Sequence, residues 1–189
     1  MRGPETEKLY QRWMRDNLFK KYLPGKGLDI GYKGDNKHAQ PILAGAIGID
    51  RDYPGYDGRT LPFADESQDF VFSSHCLEHI AKACDAITEW FRVIKPGGYL
   101  VLYLPHQYLY ERKYELPSKW NGDHKWFITP SYLLTKIEFS LIPNSYQLIH
   151  CKDCREGYDY NIPLDKHPCG EYSIECVIRK IQPPTWEIK

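Results

Sequence analysis

His75, Glu78 and His79 stand at positions i, i+3 and i+4, which would place all three side chains on one face of a helix. A histidine titrates near neutrality and can take the proton of a hydroxyl during its reaction. The same His-x-x-Glu-His order is also an inverted zinc-peptidase pattern. His106, in Leu104-Pro105-His106, is a further candidate base, whereas His124 in Gly122-Asp123-His124-Lys125 reads more simply as a surface histidine. Cys151-x-x-Cys154 with His167 and Cys169 has the donor types of a tetrahedral zinc site. Because His-x-Cys is an uncommon second half, thiols in a hairpin loop are the simpler reading.

The elements that must position these residues alternate between strand and helix patterns. Leu9, Trp13, Leu18 and Tyr22 give Glu5 to Tyr22 an amphipathic helical face, ended by Pro24-Gly25. Leu28 to Ile30, Ala46 to Ile49 and Gln68 to Ser73 read as strands. Cys76 to Ile94 reads as one long helix, with Leu77, Ile80, Ala83, Ile87, Phe91 and Ile94 on its buried face. Pro96-Gly97-Gly98 breaks it before a central strand at Tyr99 to Leu104. Between Asp50 and Gln68, Pro54, Gly55, Gly58 and Pro62 predict turns in place of a helix and a strand. Residues 105–128 lack periodicity but hold Tyr108, Tyr110, Tyr114, Trp120 and Trp126, a content that argues for an ordered, functional segment. Thr129 and Pro130 cap a helix containing Leu133, Leu134 and Ile137. Ser145 to His150 and Tyr172 to Ile181 then predict an antiparallel pair of strands.

Gly27-Leu28-Asp29-Ile30-Gly31, Gly48-Ile49-Asp50 and Asp69-Phe70-Val71-Phe72-Ser73 stand in order with Leu61-Pro62-Phe63, Leu77-Glu78-His79 and Lys95-Pro96-Gly97-Gly98. From Leu28 to Pro105 this set resembles the class I S-adenosylmethionine-dependent methyltransferases, in particular their small-molecule branch. The resemblance implies an α/β Rossmann-like fold, with a mainly parallel sheet, an antiparallel closing strand and, in this chain, no third strand. It implies S-adenosyl-L-methionine as cofactor, met by Asp29, Gly31 and Gly34 after the first strand. Asp50 would take the ribose hydroxyls, Asp57 and Gly58 the adenine, and Ser74 would join the cofactor set. The family's next two loop glycines are replaced here by Lys33 and Asp35. His75, His79 and His106 would be the catalytic residues. Some relatives with Glu-x-x-Glu-His in this place hold a divalent ion. His75 departs from that pattern, so the carry-over is incomplete and no metal ligand is assigned from the resemblance.

With 25 basic and 25 acidic residues the chain is neutral, unlike proteins that bind nucleic acid through phosphate neutralisation. Met1 to Lys20 is charged and unlike a signal peptide, and Tyr99 to Leu104 is too short to span a bilayer. The 6 cysteines therefore suggest reduced thiols and a soluble, cytoplasmic protein. One domain over residues 1–189 is expected, with an N-terminal helix within 1–24 and residues 105–128 as a lid. The expected function is transfer of a methyl group to a small molecule, with a hydroxyl slightly favoured as acceptor. A non-catalytic cofactor-binding protein and a hydrolase using His75, Glu78 and His79 are the alternatives. Oligomeric state is open.

Overall fold

The apolar runs at Gly27–Ile30, Ile47–Ile49, Gln68–Ser74 and Ile94–Pro105 form strands β1 to β4 of one sheet in a computed structural model, which describes residues 2–33, 38–183 and 185. Tyr146–Cys154 and Ser173–Lys180 add β5 and β6, and the strand order is β2-β1-β3-β4-β6-β5. Strands β1 to β4 pair in parallel, and β6 runs antiparallel to both β4 and β5. Residues 51–67 contain neither helix nor strand, so β2 is the edge on that side, as the prolines and glycines imply.

Side chains alternate across a strand, so each central strand feeds two apolar layers. Leu28, Ile30, Val71, Leu100, Leu102 and Leu104 face one layer, covered by α3 (Ala83–Arg92) and α4 (Pro130–Ser140). Phe70, Phe72, Val101 and Tyr103 face the other, covered by α1 (Pro4–Arg15) and α2 (Phe19–Tyr22). The opening helical pattern is thus two helices, separated at Asn17, whose left-handed φ of 54° stops the first.

The single helix expected over Cys76 to Ile94 is not formed. Leu77–His79 makes one 3₁₀ turn, α3 begins at Ala83, and Ile94 already belongs to β4. Apolar spacing records burial, and a tight turn followed by a helix buries Leu77, Ala83 and Ile87 as one helix would. Lys95 to Gly98 lies within β4 as an irregularity, where the pairing jumps from Gln68↔Ile94 to Phe70↔Tyr99. Gly98 is required there, since a Cβ would stand 2.5 Å from the Asp69 carbonyl oxygen. Among the described residues no helix is long and apolar enough to cross a membrane.

Helix α1 is fastened to β6 by a buried polar network. Glu175 is fully buried, and its carboxylate receives Trp13 Nε1 at 2.8 Å, pairs with Arg12 Nη2 at 2.8 Å and meets His150 Nε2 at 2.8 Å. Arg12 Nε also donates to Glu171 at 3.0 Å. Burial pushes the Glu175 carboxyl up, but His150, Arg12, Lys152 and Trp13 outweigh it and bring the group down from 4.5 to about 2. A depressed carboxyl stabilises the fold above its unfolded value, and this contribution is lost as pH falls through the folded one. We therefore expect Glu175→Gln to lose roughly 1.5–3 kcal/mol near neutral pH, since charge-assisted hydrogen bonds are lost while Arg12 keeps Glu171 as its remaining charge partner. In urea titrations the variant should also lose less stability than the parent on acidification from about pH 5 to 2. Equal slopes would place the acid sensitivity elsewhere.

Candidate functional site

Parallel strands deliver their carboxyl ends to one edge of a sheet, where ligands of open α/β folds lie. Gly31, Asp50, His75 and His106 follow β1, β2, β3 and β4 at that edge. Gly31 has a φ of 77° and donates its N–H to the Ile49 carbonyl at 2.8 Å. A Cβ on Gly31 would stand 2.4 Å from Cys76 Sγ, so the close approach of the segment after β3 requires glycine. Asp29 is buried, and its Oδ2 accepts the Ile42 N–H at 2.6 Å. Burial raises its carboxyl to about 7, against that hydrogen bond and Arg2. Its side chain thus pins the connection between β1 and β2. Gly34 and Asp35 lie outside the described residues.

Asp50 ties the two loop ends together, with Oδ2 accepting the Lys33 N–H at 3.3 Å and Oδ1 accepting the Arg51 N–H at 2.8 Å. The Lys33 ammonium pairs with Asp52. Asp57 Oδ1 accepts the N–H groups of Arg59 at 2.8 Å and Thr60 at 2.6 Å, forming an Asx turn whose amides lower its pKa. Gly58 has a φ of 83° and open space beside it. Ser74 Oγ accepts the Thr6 hydroxyl from α1 at 2.9 Å.

The segment after β3 carries the densest polar cluster. His75, at a φ of 48°, meets Ser173 Oγ through Nε2 at 3.0 Å and reaches Glu78 Oε1 through Nδ1 at 3.7 Å. Glu78 is fully buried, and neither carboxyl oxygen has a hydrogen-bond partner among the described residues. His79 Nε2 lies 3.8 Å from Glu78 Oε1, and His124 Nε2 lies 3.9 Å from the same oxygen. His124 Nδ1 is 2.5 Å from Glu111 Oε1, while Glu111 Oε2 accepts the Ser118 hydroxyl at 2.6 Å. Burial pushes the Glu78 carboxyl up to about 8. Burial also lowers His75 to about 3 and lowers His79, each with further repulsion from His124, so both imidazoles are neutral at pH 7.

The sequence pattern singled out His75, Glu78 and His79, and the fold does bring them together, through a 3₁₀ turn and a left-handed residue in place of a helical face. It left out His124 as a surface residue and did not consider Glu111; both are buried. His106 stands apart from the cluster: its Nε2 pairs with Asp153 at 3.3 Å and its Nδ1 accepts the Tyr108 N–H at 3.0 Å. The cysteines do not assemble either. Positions i and i+3 of a strand point to opposite faces, so Cys151 lies opposite Cys176 while Cys154 lies beside Arg12. Cys169 is exposed, and His167 packs against Tyr110, Trp120 and Tyr172.

An open cleft of about 700 Å³ is lined by Gln107, Tyr108, Tyr114, Leu116, Trp126 and Tyr132 among others, and by none of the cluster's own residues. Trp126 Nε1 donates to the Leu77 carbonyl at 3.2 Å and Lys125 N to the Glu78 carbonyl at 2.8 Å, joining this wall to the 3₁₀ turn.

Residues 45–102 match the family model of a methyltransferase domain. An uncharacterized methyltransferase of Mycobacterium tuberculosis is 39% identical over 79 residues, which are 39% of this chain and 30% of that protein. The chain thus spans less than a third of that relative's length. Among solved structures, a SAM-dependent methyltransferase from Aquifex aeolicus superposes with a TM-score of 0.57 at 12% identity, covering 95% of this chain and 94% of the other. One from Archaeoglobus fulgidus gives 0.56 at 15% identity, covering 93% and 94%. The fold is that of the class I S-adenosylmethionine-dependent methyltransferase family, and the segment that matches a methyltransferase domain lies within it. S-adenosylmethionine is the cofactor this family uses. The donor set at the edge fits it: a half-buried carboxylate closes β2 and a left-handed glycine closes β1.

The packing of Gly31 against Cys76 generates a direct test. Gly31→Ala adds left-handed strain of about 1–2 kcal/mol and a clash, so its melting temperature should fall. Adding Cys76→Gly should recover the clash but not the backbone strain. Full recovery, or none, in thermal unfolding would contradict this geometry.

Proposed function

We propose that the protein transfers the methyl group of S-adenosylmethionine to a hydroxyl of a small molecule. The observation that carries this reading is the group of neutral imidazoles at the carboxyl edge, next to an aromatic cleft. The sulfonium cofactor, when bound, supplies an already activated methyl group. The protein's own part is then to orient the acceptor, exclude water and accept one proton. Holding the reactants in line supplies much of the acceleration, and a base adds roughly 100-fold or more.

His79 is the best-placed base in this reading, because its side chain is 27% exposed and can meet an acceptor. His75 stays neutral and orients the turn through Ser173. Tyr108, Tyr114, Trp126 and Tyr132 would hold an apolar or ring-shaped acceptor by stacking. Asp50 would receive the ribose hydroxyls, with Gly31 allowing close approach after β1.

Two measurements test this reading. Asp50→Ala should weaken binding of S-adenosylhomocysteine by about ten-fold or more, or ~1.4 kcal/mol per decade, since hydrogen bonds to a charged group are lost. Asp52→Ala, which removes only the exposed partner of Lys33, should do much less. Calorimetry that finds no binding by the parent protein at millimolar ligand would sink the transferase reading.

Residues 105–128 are proposed as a lid over the acceptor. They are fastened by Arg112 to the carbonyls of Ile162 and Pro163, and by Lys119 to that of Leu164. Hydrogen exchange in this segment should slow when S-adenosylhomocysteine and an acceptor are both present. Unchanged exchange at saturation would remove the lid.

A further inference from the structure

A carboxylate buried without a hydrogen-bond donor is costly, and proteins ordinarily supply one or neutralise the charge. Among the described residues Glu78 has none, although it sits at the centre of a polar cluster. Its Oε1 instead faces three imidazole nitrogens, His75 Nδ1 at 3.7 Å, His79 Nε2 at 3.8 Å and His124 Nε2 at 3.9 Å. Glu78, His79 and His124 each offer one ligand atom, and the three atoms lie within 4.8 Å of one another. Bonds of about 2.0–2.2 Å to a tetrahedral ion need ligand atoms roughly 3.3–3.6 Å apart. A small closing movement of the two rings reaches that spacing.

The outer contacts have the arrangement that metal-binding histidines use. A ligating imidazole is ordinarily fixed by a carboxylate or backbone partner on its other nitrogen. Glu111 holds Nδ1 of His124 at 2.5 Å and is itself held by Ser118, which leaves Nε2 aimed at Glu78. The backbone of Asp123 acts on His79 in the opposite sense to burial, favouring its charged form. His75 has its Nε2 engaged with Ser173, and although its Nδ1 approaches Glu78 it is not within 4.8 Å of all the other ligand atoms, so it lies outside the set. The partly exposed His79 leaves a path for an ion from solvent.

We propose that Glu78 Oε1, His79 Nε2 and His124 Nε2 bind one divalent first-row transition-metal ion, with Glu111 as the positioning residue for His124. Two imidazoles and one carboxylate select zinc, cobalt or iron over magnesium and calcium, which prefer oxygen alone. Three protein ligands leave a coordination position open, as in catalytic metal sites. The use of that position, to lower the proton affinity of an acceptor hydroxyl, rests on the transferase reading. His79 is then a ligand, and the ion takes over its part in activating the hydroxyl. The binding of the ion does not depend on that reading.

The test uses the full chain, stripped with chelator and titrated with Co²⁺ and with Zn²⁺. One ion per chain is expected, with visible Co²⁺ bands and no near-ultraviolet thiolate charge-transfer band. His79→Asn, at a partly exposed position, should weaken binding by at least about ten-fold. Glu111→Gln should weaken it by ~10–100-fold, and Cys151→Ser should leave it unchanged. Circular dichroism checks that each variant is folded. A parent protein that binds no ion, a thiolate band, or an unaltered affinity in folded His79→Asn would each overturn the site. S-adenosylhomocysteine binding is measured on the same samples. Its loss with the ion retained defeats the transferase reading alone, and the reverse defeats the metal site alone.

Discussion

Strand β3 is paired in parallel with β1 on one side and β4 on the other, and both of its faces are covered. A one-residue slip would turn Phe70 and Phe72 toward the layer built for Val71, so the register is tightly specified. Everything at the carboxyl edge follows from that pairing. Ser73 Oγ donates to the Ile30 carbonyl at 3.0 Å, and the His75 N–H to the Tyr103 carbonyl at 2.8 Å, which fixes where β3 ends relative to its neighbours. Gly31 and Cys76 can then touch, and the 3₁₀ turn that follows is forced inward, carrying Glu78 into the interior.

Glu78 and Glu175 are both fully buried glutamates, yet their carboxyls shift in opposite directions. Glu175 is met by Arg12, Trp13, His150 and Lys152, and remains charged down to about pH 2. Among the described residues neither oxygen of Glu78 has a hydrogen-bond partner, and burial outweighs the pull of its own backbone. The first carboxylate fastens a helix to the sheet, and both of its oxygens are met by partners within the protein. The second lacks such partners among the described residues, and groups of that kind concentrate where chemistry is done.

The loss of the usual third strand gives the site a different wall. Turns at 51–67 pack Tyr53 against Phe63, with ring centroids 5.9 Å apart, and Leu61 N–H is held by Glu89 of α3 at 2.7 Å. A smaller sheet is kept closed by side-chain contacts from α3: Arg92 reaches the Phe63 carbonyl at 2.9 Å and the Leu61 carbonyl at 3.2 Å. The aromatic segment after β4 closes the other side, anchored through Trp126 and Lys125 to the turn at Leu77 and Glu78.

Short apolar runs bounded by Gly and Pro were legible as β1, β2 and β3, because burial on both faces leaves a local mark of a few residues. The absent strand was legible in Pro54, Gly55, Gly58 and Pro62, and the start of α4 in Thr129 and Pro130. The break between Leu77 and Ala83 was not, since a turn and a helix can bury the same apolar spacing. Nor could spacing separate Cys151 from Cys154, which a strand sends to opposite faces. Sequence alone therefore determined the class of the fold and the approximate edge at which residues meet. Only the tertiary structure decided that His124 and Glu111 join Glu78 while His106 turns to Asp153. Those meetings are set by how the chain crosses over the sheet and packs, and such long-range contacts have no periodicity to read.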